Sequence, residues 1–371
     1  MAIPFIDLKR FENGFLEKWE KKVKSISSSA NFIGGKEISL LENKLSTITQ
    51  NKYVIPCANG TDAIQIALRA AGVRKNDLVL VPNLTFWSTF EAVVNVGASP
   101  ITIDADVIDG GICYDSLSHA ISKYSPKAAI LAHLYGWGSR NLKKIRTLCK
   151  KKNVLLIEDG AQCFASKYMN DSIYKNALIS TTSFYPAKVL GAAGDAGAVF
   201  TNDKKMADVA KKLANHGRSE HYGHDYLGWN SRMDTLQASF LTFSLKHLSK
   251  RIKSRVEAVN FYKSNIHDKE IKIMNAPEDF KENGYCNVSL IENKKNKKRL
   301  ESLLKKNKIG FSNIYPIAMS DQKGAREFII DHVGDRNAQK ICSSVLNLPT
   351  FPYITQGELN KVCKVVNSAF R

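Results

Sequence analysis

The stretch Val154-Leu-Leu-Ile-Glu-Asp-Gly-Ala-Gln162 decides the fold class. Its apolar first half predicts a strand that is buried on both faces, as strands of parallel sheets are. Two carboxylates, Glu158 and Asp159, follow where that strand ends. Ligands of parallel sheets bind at the carboxyl ends of the strands. We therefore predict that Asp159 lies at the ligand-binding edge, although a helix cap or a loop acid would give the same pattern.

Short apolar segments alternate with amphipathic segments on both sides of this stretch. The predicted strands cover residues 53–57, 78–81, 99–103, 128–133, 154–158, 180–185 and 196–201. The predicted helices between them cover residues 62–71, 88–96, 115–123, 141–152 and 204–215. This alternation predicts an α/β fold with a mostly parallel, seven-stranded sheet that helices cover on both faces.

The pattern changes near residue 232. Residues 233–259 contain neither Gly nor Pro and predict one long helix. Beyond it, shorter strands (287–291 and 311–315) and helices (298–306 and 356–368) are predicted. We therefore expect a large domain over residues 1–245 and a smaller α+β domain over residues 246–371, with a cleft between them.

The charge balance is unusual for a chain of this composition. Of 371 residues, 54 are Lys or Arg and 35 are Asp or Glu, which gives a formal net charge of +19. With 44% hydrophobic residues the chain is globular rather than disordered. The densest basic run, Lys294–Lys306, carries leucines at helical spacing and no aromatic residues, which favours a solvated helix face over a nucleic-acid surface. We predict no nucleic-acid partner.

Membrane, disulfide and metal sites are not expected either. No apolar run approaches the roughly 20 residues of a membrane helix, and the first ten residues lack the pattern of a signal peptide. The seven cysteines include no C-x-x-C pair, and the polar run with His216, Arg218, His221 and His224 has no matching Cys or acidic set. A cytoplasmic location and no metal are the expectations.

The segment Cys57-Ala-Asn-Gly-Thr-Asp-Ala-Ile64 is a candidate phosphate site. A strand ends, an Asn-Gly turn follows and a helix begins. Gly60 lets backbone N–H groups approach a ligand closely, and Thr61 offers a hydroxyl at the positive end of the helix. An ordinary strand-to-helix turn is the alternative.

A lysine stands alone among apolar and glycine residues in the segment from Ser183 to Gly197. Desolvation there lowers the pKa of Lys188 and favours the neutral amine that forms Schiff bases. Ser183, five residues earlier, can bind phosphate. A structural lysine with an exposed amine is the alternative.

Together the three segments match the needs of pyridoxal 5′-phosphate (PLP). The helix start near Gly60 and Ser183 can hold the phosphate, Asp159 can keep the pyridine nitrogen protonated, and Lys188 can hold the aldehyde. Lys188 can later move the proton as well.

At this point the sequence resembles the DegT/DnrJ/EryC1/StrS family of PLP-dependent sugar aminotransferases, which have the aspartate-aminotransferase type of fold. The resemblance runs over nearly the whole chain. The matching blocks, in order, are Phe32-Ile-Gly-Gly-Lys-Glu37, Cys57-Ala-Asn-Gly-Thr-Asp-Ala63, Val81-Pro-Asn-Leu-Thr-Phe86, His133-Leu-Tyr-Gly136, Ile157-Glu-Asp-Gly-Ala-Gln162, Ser183-Phe-Tyr-Pro-Ala-Lys188, Gly228-Trp-Asn-Ser-Arg-Met-Asp-Thr-Leu-Gln-Ala238 and Leu348-Pro-Thr-Phe-Pro352.

The resemblance implies roles for residues beyond the three segments. Gln162 matches the residue beside the phenolic oxygen of PLP, and Phe86 matches an aromatic that stacks on the ring, with a buried core position as its alternative. Asn230 matches an Asn that reaches the phosphate from the neighbouring subunit, which implies a homodimer; a helix cap is its alternative. Independently of the resemblance, Arg218 in the polar run of residues 216–224 is a candidate for contact with an anionic substrate, with a solvated loop as the alternative. Tyr315 is a second candidate for a substrate contact. Arg218, Arg232 and Lys188 are expected to line a positive cleft.

Several departures from the family pattern lie where its members meet the sugar. Gly194-Asp-Ala-Gly197 usually has Gly as its third residue, and neither Tyr315-Pro-Ile-Ala-Met-Ser-Asp321 nor Leu348-Pro-Thr-Phe-Pro352 contains the His that is common there. Trp137 stands where smaller residues are frequent. The residues expected to bind the cofactor are all present, whereas the identity of the acceptor sugar is left open.

The resemblance thus implies an aminotransferase that moves the amino group of glutamate to a keto-sugar, for a surface polysaccharide or glycoconjugate. A nucleotide-linked keto-hexose is the expected acceptor. The alternatives are an unactivated keto-sugar acid such as 8-oxo-3,8-dideoxy-octulosonate, which would give an 8-amino sugar of lipopolysaccharide, a PLP-dependent sugar dehydratase, and a non-catalytic regulator. The family's dehydratases replace the lysine by His, so Lys188 favours transamination.

Overall fold

The computed structural model describes residues 2–220 and 222–370, and its centre is an eight-stranded sheet. The strand order is β1-β9-β8-β5-β4-β2-β3-β13, and only β9 runs against the others. The other strands of the described residues form two three-stranded sheets, β10-β12-β14 and β11-β6-β7. The bounds are β1 (Tyr53–Cys57), β2 (Leu78–Pro82), β3 (Ser99–Ile103), β4 (Ala128–Ala132), β5 (Leu155–Asp159), β6 (Lys167–Tyr168), β7 (Asp171–Ser172), β8 (Ile179–Ser183), β9 (Gly197–Thr201), β10 (Lys272–Ile273), β11 (Phe280–Lys281), β12 (Ser289–Leu290), β13 (Asp331–Val333) and β14 (Val345–Leu346).

Twelve α-helices are found in the described part of the chain. They are α1 (Phe15–Ser29), α2 (Lys36–Thr49), α3 (Gly60–Ala70), α4 (Trp87–Asn95), α5 (Tyr114–Tyr124), α6 (Leu142–Lys151), α7 (Lys204–Ala214), α8 (Thr235–Leu245), α9 (Leu248–Asn265), α10 (Lys294–Lys306), α11 (Asn337–Ser344) and α12 (Gln356–Asn367). None of them combines the length and the apolar composition that a bilayer span requires.

The central sheet is covered on both faces, and its inner strands β2 and β4 carry apolar residues at every position. Along β2, Val79 and Val81 enter one core while Leu80 enters the other. Helices α3, α4 and α7 supply the first core, and α2, α5, α6 and α8 supply the second. The predicted α/β fold with a mostly parallel, doubly covered sheet is thereby confirmed.

The strand count of the prediction is corrected by the structure. All seven predicted strands are present, and β13 is an eighth that pairs in parallel with β3. It was missed because it is only three residues long and contains Asp331 and His332. No local pattern distinguishes such a segment from a loop, so only its pairing with β3 makes it a strand.

The single long helix predicted over residues 233–259 is wrong. The chain forms α8 and α9, which are separated at Lys246 and His247. Helix α8 packs against α1 and α2 in one core, whereas α9 packs against α12 in another. The chain therefore changes direction between the two helices. The break needs neither Gly nor Pro, and the sequence therefore does not signal it.

A third core forms between α9, α10 and α12, with Ile3 from the start of the chain. The predicted helices there agree with α10 and α12, but residues 311–315 form no strand and make only a bridge between Ser312 and Asn347. The predicted domain division at residues 245 and 246 coincides with the break between α8 and α9 and stays a prediction.

Candidate active site

A cavity of about 330 Å³ opens at the carboxyl edge of the central sheet, where β4, β5 and β8 end. Its wall also includes the starts of α3 and α4 and a segment from the C-terminal third of the chain. The predicted site residues in the wall are Gly60, Thr61, Phe86, Asp159, Gln162, Ser183, Lys188 and Tyr315. We call this cavity the cofactor pocket.

Asp159 is the last residue of β5 and is 8% exposed. Its Oδ2 accepts a hydrogen bond from Thr89 Oγ1 at 2.9 Å, and its Oδ1 accepts one from the backbone N–H of Ala161 at 3.1 Å. Thr89 is held in turn by Thr85, whose Oγ1 lies 2.8 Å away. These contacts fix the orientation of the carboxylate towards the pocket.

The candidate phosphate site is built by the start of α3 and the end of β8. Asn59 caps α3 by accepting from the N–H of Asp62 at 2.8 Å, so the earlier amides of Gly60 and Thr61 remain as first-turn donors. Ser183 lies so close that a Cβ on Gly60 would stand 2.7 Å from its Cβ. We call the space between the start of α3 and Ser183 the Gly60 cradle. A side chain at residue 60 would fill this space, in which the backbone amides of α3 can reach an anion.

Lys188 lies in the wall of the cofactor pocket, in the segment that follows β8. Burial lowers the pKa of Lys188 below its usual value, and the nearby Asp159 carboxylate opposes part of that shift. The direction agrees with the prediction from its apolar neighbours. Its Nζ stands 5.3 Å from the centre of the Tyr285 ring. The site therefore favours a neutral, nucleophilic amine.

Gln162 and Tyr315 meet on the pocket wall although they are far apart in the chain. The amide Nε2 of Gln162 donates to Tyr315 Oη at 2.6 Å, and its Oε1 accepts from the N–H of Tyr135 at 2.6 Å. Phe86 is 54% exposed, and its ring centre lies 5.7 Å from that of Tyr315. The buried-core alternative for Phe86 is thus excluded, and an aromatic surface borders the pocket.

Sequence reasoning missed several residues of the pocket wall. Thr89 and Ser88 come from the first turn of α4, and Ser88 Oγ accepts from Thr61 Oγ1 at 2.8 Å. Tyr285 comes from the C-terminal third of the chain. The Thr and Ser residues could have been suspected from their position after β2, whereas nothing in the local sequence marks Tyr285.

Asn230 and Arg218 do not line the pocket of their own chain. Asn230 is exposed, and its Oδ1 accepts from Arg232 Nη2 at 2.5 Å. Arg218 is exposed, and its backbone forms an isolated antiparallel β-bridge with that of His224. Within one chain the expected positive cleft therefore contains Lys188 without the two arginines, and the substrate role of Arg218 stays a prediction. His221 lies outside the described residues.

The residues of the pocket fit PLP. The Gly60 cradle accepts a phosphate, the carboxylate of Asp159 is oriented by two donors, and Lys188 supplies an amine of lowered pKa. Gln162 and Phe86 stand in the same wall, one with an amide and the other with an aromatic ring. A fold of this kind with this site defines a PLP-dependent enzyme of the aspartate-aminotransferase type.

More particularly, the chain belongs to the DegT/DnrJ/EryC1/StrS aminotransferase family, whose model matches residues 16–367. It is a PLP-dependent sugar aminotransferase.

Two relatives and one solved structure illustrate the relationship. The chain is 32% identical over 369 residues, 99% of its length and 100% of the relative, to the UDP-2-acetamido-2-deoxy-3-oxo-D-glucuronate aminotransferase of Pseudomonas aeruginosa. It is 30% identical over 365 residues, 98% of its length and 97% of the relative, to the UDP-N-acetyl-3-dehydro-alpha-D-glucosamine 3-aminotransferase of Acidithiobacillus ferrooxidans. The crystal structure of S. venezuelae DesV in complex with a ketimine intermediate is similar with a TM-score of 0.94 and 26% identity, over 100% of this chain and 99% of that one.

Proposed function

We propose that this protein transfers the amino group of glutamate to a nucleotide-linked keto-hexose. The observation that carries the proposal is Lys188, an amine of lowered pKa in the same small pocket as the oriented carboxylate of Asp159. The two relatives described above are named for UDP-linked 3-oxo sugars, which supports a nucleotide-linked acceptor.

The residues of the pocket divide the work of such a reaction. Bound PLP supplies an electron sink that makes the proton on the donor's α-carbon acidic. The carboxylate of Asp159 would hold the proton on the pyridine nitrogen, and the cradle of Gly60 and Ser183 would hold the phosphate. Lys188, as a free and neutral amine, would take the proton from the donor's α-carbon and, in the second half of the reaction, deliver a proton to the sugar carbon that receives the amino group.

The proposal extends to the assembly and its setting. A second copy of the chain would supply Asn230, because that side chain is exposed and lies outside the pocket of its own chain. The loop beside it presents Leu227 at 89% exposure, and Ile33 elsewhere is 53% exposed; a partner subunit would cover such apolar side chains. We place the homodimer in the cytoplasm, with its product used for a surface glycan such as lipopolysaccharide.

Replacement of Lys188 tests the assignment directly. Lys188→Ala should lose all transaminase activity and any cofactor that borohydride can trap on the protein, because no other amine lies in the pocket wall among the described residues. Lys204→Ala is the matched control, since Lys204 is an exposed lysine paired with Asp208. Mass spectrometry of the reduced proteins provides the measurement. Trapped cofactor on Lys188→Ala would refute the assignment.

The acceptor is tested by incubating the holoenzyme with glutamate and a set of acceptors. The set contains nucleotide-linked 3-keto and 4-keto hexoses, 8-oxo-3,8-dideoxy-octulosonate and a plain 2-oxo acid. Mass spectrometry should detect an amino product from a nucleotide-linked sugar. Amination of the octulosonate alone would move the protein to the unactivated class, and turnover of the 2-oxo acid alone would end the sugar proposal.

A further inference from the structure

A groove of about 790 Å³ lies between α6 and the hairpin of β6 and β7. Its wall consists of one face of α6, the residues that lead into β5 and β8, and the hairpin itself, and none of its described residues also lines the cofactor pocket. Asn230 and Leu227, which we assign to the contact with a second copy, are not part of this wall either. We call it the α6 groove, and its volume lies in the range of small-molecule sites.

The face of α6 that borders the groove is basic. Lys143 and Lys150 are exposed in the wall and have no carboxylate partner among the described residues. They are seven residues apart, which is close to two helical turns or about 10.5 Å, so both side chains leave the same face of the helix. Lys143 stands in the first turn, which contains no acidic residue and where the helix dipole disfavours a cation. Helix stability therefore does not account for Lys143, whereas an anion in the groove would.

Arg146 lies on the same face, between the two lysines, and its side chain is 17% exposed. Its Nε and Nη2 donate to Glu158 at 2.7 and 2.8 Å. Nη2 also donates to the carbonyl of Ile173 at 2.8 Å, and Nη1 donates to the carbonyl of Lys175 at 3.0 Å. Because a guanidinium has five N–H groups, these four bonds leave one N–H on Nη1. Arg146 therefore has donor capacity left at the floor of the groove.

The charges in the wall do not balance. Its described residues include four Lys or Arg side chains and two carboxylates, those of Asp171 and Glu158. Asp171 pairs with Lys175 at 2.9 Å, and both side chains are about two-fifths exposed. Such exposed pairs contribute little, so Lys175 can turn to a more highly charged anion. A concave surface with this excess of positive charge attracts anions and favours a phosphate group.

The remaining wall suits an organic group attached to the phosphate. Met169 at the turn of the hairpin is 60% exposed, and Leu178 is 38% exposed. Asn153 and Asn176 are exposed in the same wall, and their side-chain amides have no hydrogen-bond partner among the described residues. A flexible Met can pack on the face of a base, and amides can both donate to and accept from its edge. The groove thus combines the features that a nucleoside diphosphate needs.

The floor of the groove is connected to the cofactor pocket through Glu158. Alternation along β5 places Leu156 in the core on the α6 side and Ile157 in the other core, so Glu158 also faces α6. Glu158 Oε2 accepts from Arg146 Nη2 and lies 2.9 Å from His133 Nε2, and His133 lines the cofactor pocket. A negative charge beside Arg146 competes with Glu158 for the guanidinium, so Glu158 then interacts more strongly with His133.

We propose that the α6 groove is a second ligand site that binds a nucleoside diphosphate, and that Arg146, Glu158 and His133 transmit its occupancy to the cofactor pocket. The phosphates lie on Lys143, Arg146 and Lys150, and the base lies against Met169. A free nucleotide and a nucleotide-linked sugar share this chemistry. The site does not depend on the identity of the acceptor, because none of its residues belongs to the cofactor pocket except the connecting His133.

Hydrogen–deuterium exchange of the holoenzyme reads the groove separately from the cofactor pocket. Addition of UDP should slow exchange in residues 167–178, which form the hairpin side of the wall. In the double variant Lys143→Gln/Lys150→Gln, the UDP concentration for half of this protection should rise about ten- to a hundredfold, because two charge-assisted contacts are lost. The matched control is Lys144→Gln/Lys151→Gln, since these two lysines are exposed on the same helix, are also seven residues apart and lie outside the wall.

Three comparisons decide the outcome. Absence of protection in residues 167–178 at millimolar UDP, or an equal loss in both double variants, would overturn the site. Inorganic pyrophosphate that protects as well as UDP would overturn the assignment of a nucleoside. UDP-N-acetylglucosamine, which has no keto group, distinguishes the two sources of the ligand: stronger protection than with UDP supports a nucleotide-linked sugar, and weaker protection supports a free nucleotide.

The connection to the cofactor pocket has its own readout in the visible absorption of the bound cofactor. UDP should change this spectrum over the concentration range in which it protects residues 167–178. That part of the change should disappear in Lys143→Gln/Lys150→Gln and persist in Lys144→Gln/Lys151→Gln. A spectral response that is identical in the wild type and both double variants would arise in the cofactor pocket itself and would overturn the connection.

Discussion

Glu158 holds a buried charge network beside the site. It is fully buried and accepts hydrogen bonds from Arg146 Nε at 2.7 Å, from Arg146 Nη2 at 2.8 Å and from His133 at 2.9 Å. Burial by itself would raise the pKa of Glu158, but the charge of Arg146 and the bond from His133 outweigh it and lower the pKa to about 2. The neighbouring Asp159 is left free to face the pocket.

We predict that Glu158→Gln lowers the free energy of unfolding at pH 7 by about 3 kcal/mol. The carboxyl has a lower pKa in the folded chain than in the unfolded chain, where it is near 4.5. Its contribution is therefore complete above pH 4.5 and is lost as the pH falls towards 2. Urea titrations of both proteins at several pH values should show the difference shrinking over that range.

Glu257→Gln serves as the control for this prediction. Glu257 is exposed and forms a long ion pair with Lys253 one helical turn away, at 3.9 Å. Such pairs contribute less than about 1 kcal/mol, so its loss should change the unfolding free energy little. A Glu158→Gln protein as stable as this control at pH 7 would contradict the account of the buried network.

At the scale of elements, the phosphate cradle depends on how closely α3 approaches the end of β8. Gly60 begins α3 and has no side chain, and the Cβ of Ser183 occupies the space that one would need. A methyl group there would push Ser183 and the helix start apart. It would also cover the amides of the first turn, which are the donors for the phosphate.

Gly60→Ala should weaken PLP binding by about tenfold or more, because one or two hydrogen bonds to a charged phosphate are lost. Fluorescence or absorbance titration of the apoprotein with PLP gives the measurement. Gly357→Ala in α12 is the matched control, since nothing lies within 4 Å of a Cβ at that position. That variant should bind PLP normally and be slightly more stable, as Ala is the better helix former. Normal affinity in Gly60→Ala would show that the cradle does not hold the phosphate.

The elements also show where local sequence patterns suffice. Helices α3 to α7 and the strands from β1 to β9 of the central sheet were predicted within a few residues, because each has its own period of apolar residues and turn residues at its ends. The separation of α8 from α9 and the pairing of β13 were not predicted. Both depend on which distant elements the chain must pack against, and a local pattern does not contain that information.

At the scale of the whole molecule, the site of one chain is incomplete if Asn230 acts on a neighbour. Mixing two inactive variants tests this. In a heterodimer of Lys188→Ala and Asn230→Ala, one site would combine Lys188 of the second chain with Asn230 of the first. Random reassociation should therefore restore about a quarter of the wild-type activity, since half of the dimers are mixed and each has one complete site.

Each variant alone, taken through the same dissociation and reassociation, is the control and should stay inactive or nearly so. Native mass spectrometry of the mixture, which separates the two variants by mass, confirms that heterodimers have formed. If mixing restores nothing although heterodimers are present, the proposed sharing of the site is wrong.

The excess of positive charge belongs to the whole molecule rather than to the site. The densest run forms α10, in which Leu300 and Leu304 are buried and the lysines lie largely in solvent, as the leucine spacing predicts. None of its lysines lines the cofactor pocket. The net charge of +19 therefore says little about the ligand.

By itself the sequence determined the fold class, the cofactor and the central residues Asp159 and Lys188. Strands and helix starts follow from local apolar period and turn chemistry, and these place side chains at one edge of the sheet whatever the rest of the chain does. Only the tertiary structure decided that Thr89 orients Asp159 and that Tyr315 meets Gln162 across 153 residues. These contacts arise when distant elements pack into one dense core, and packing of that kind leaves no local pattern in the chain.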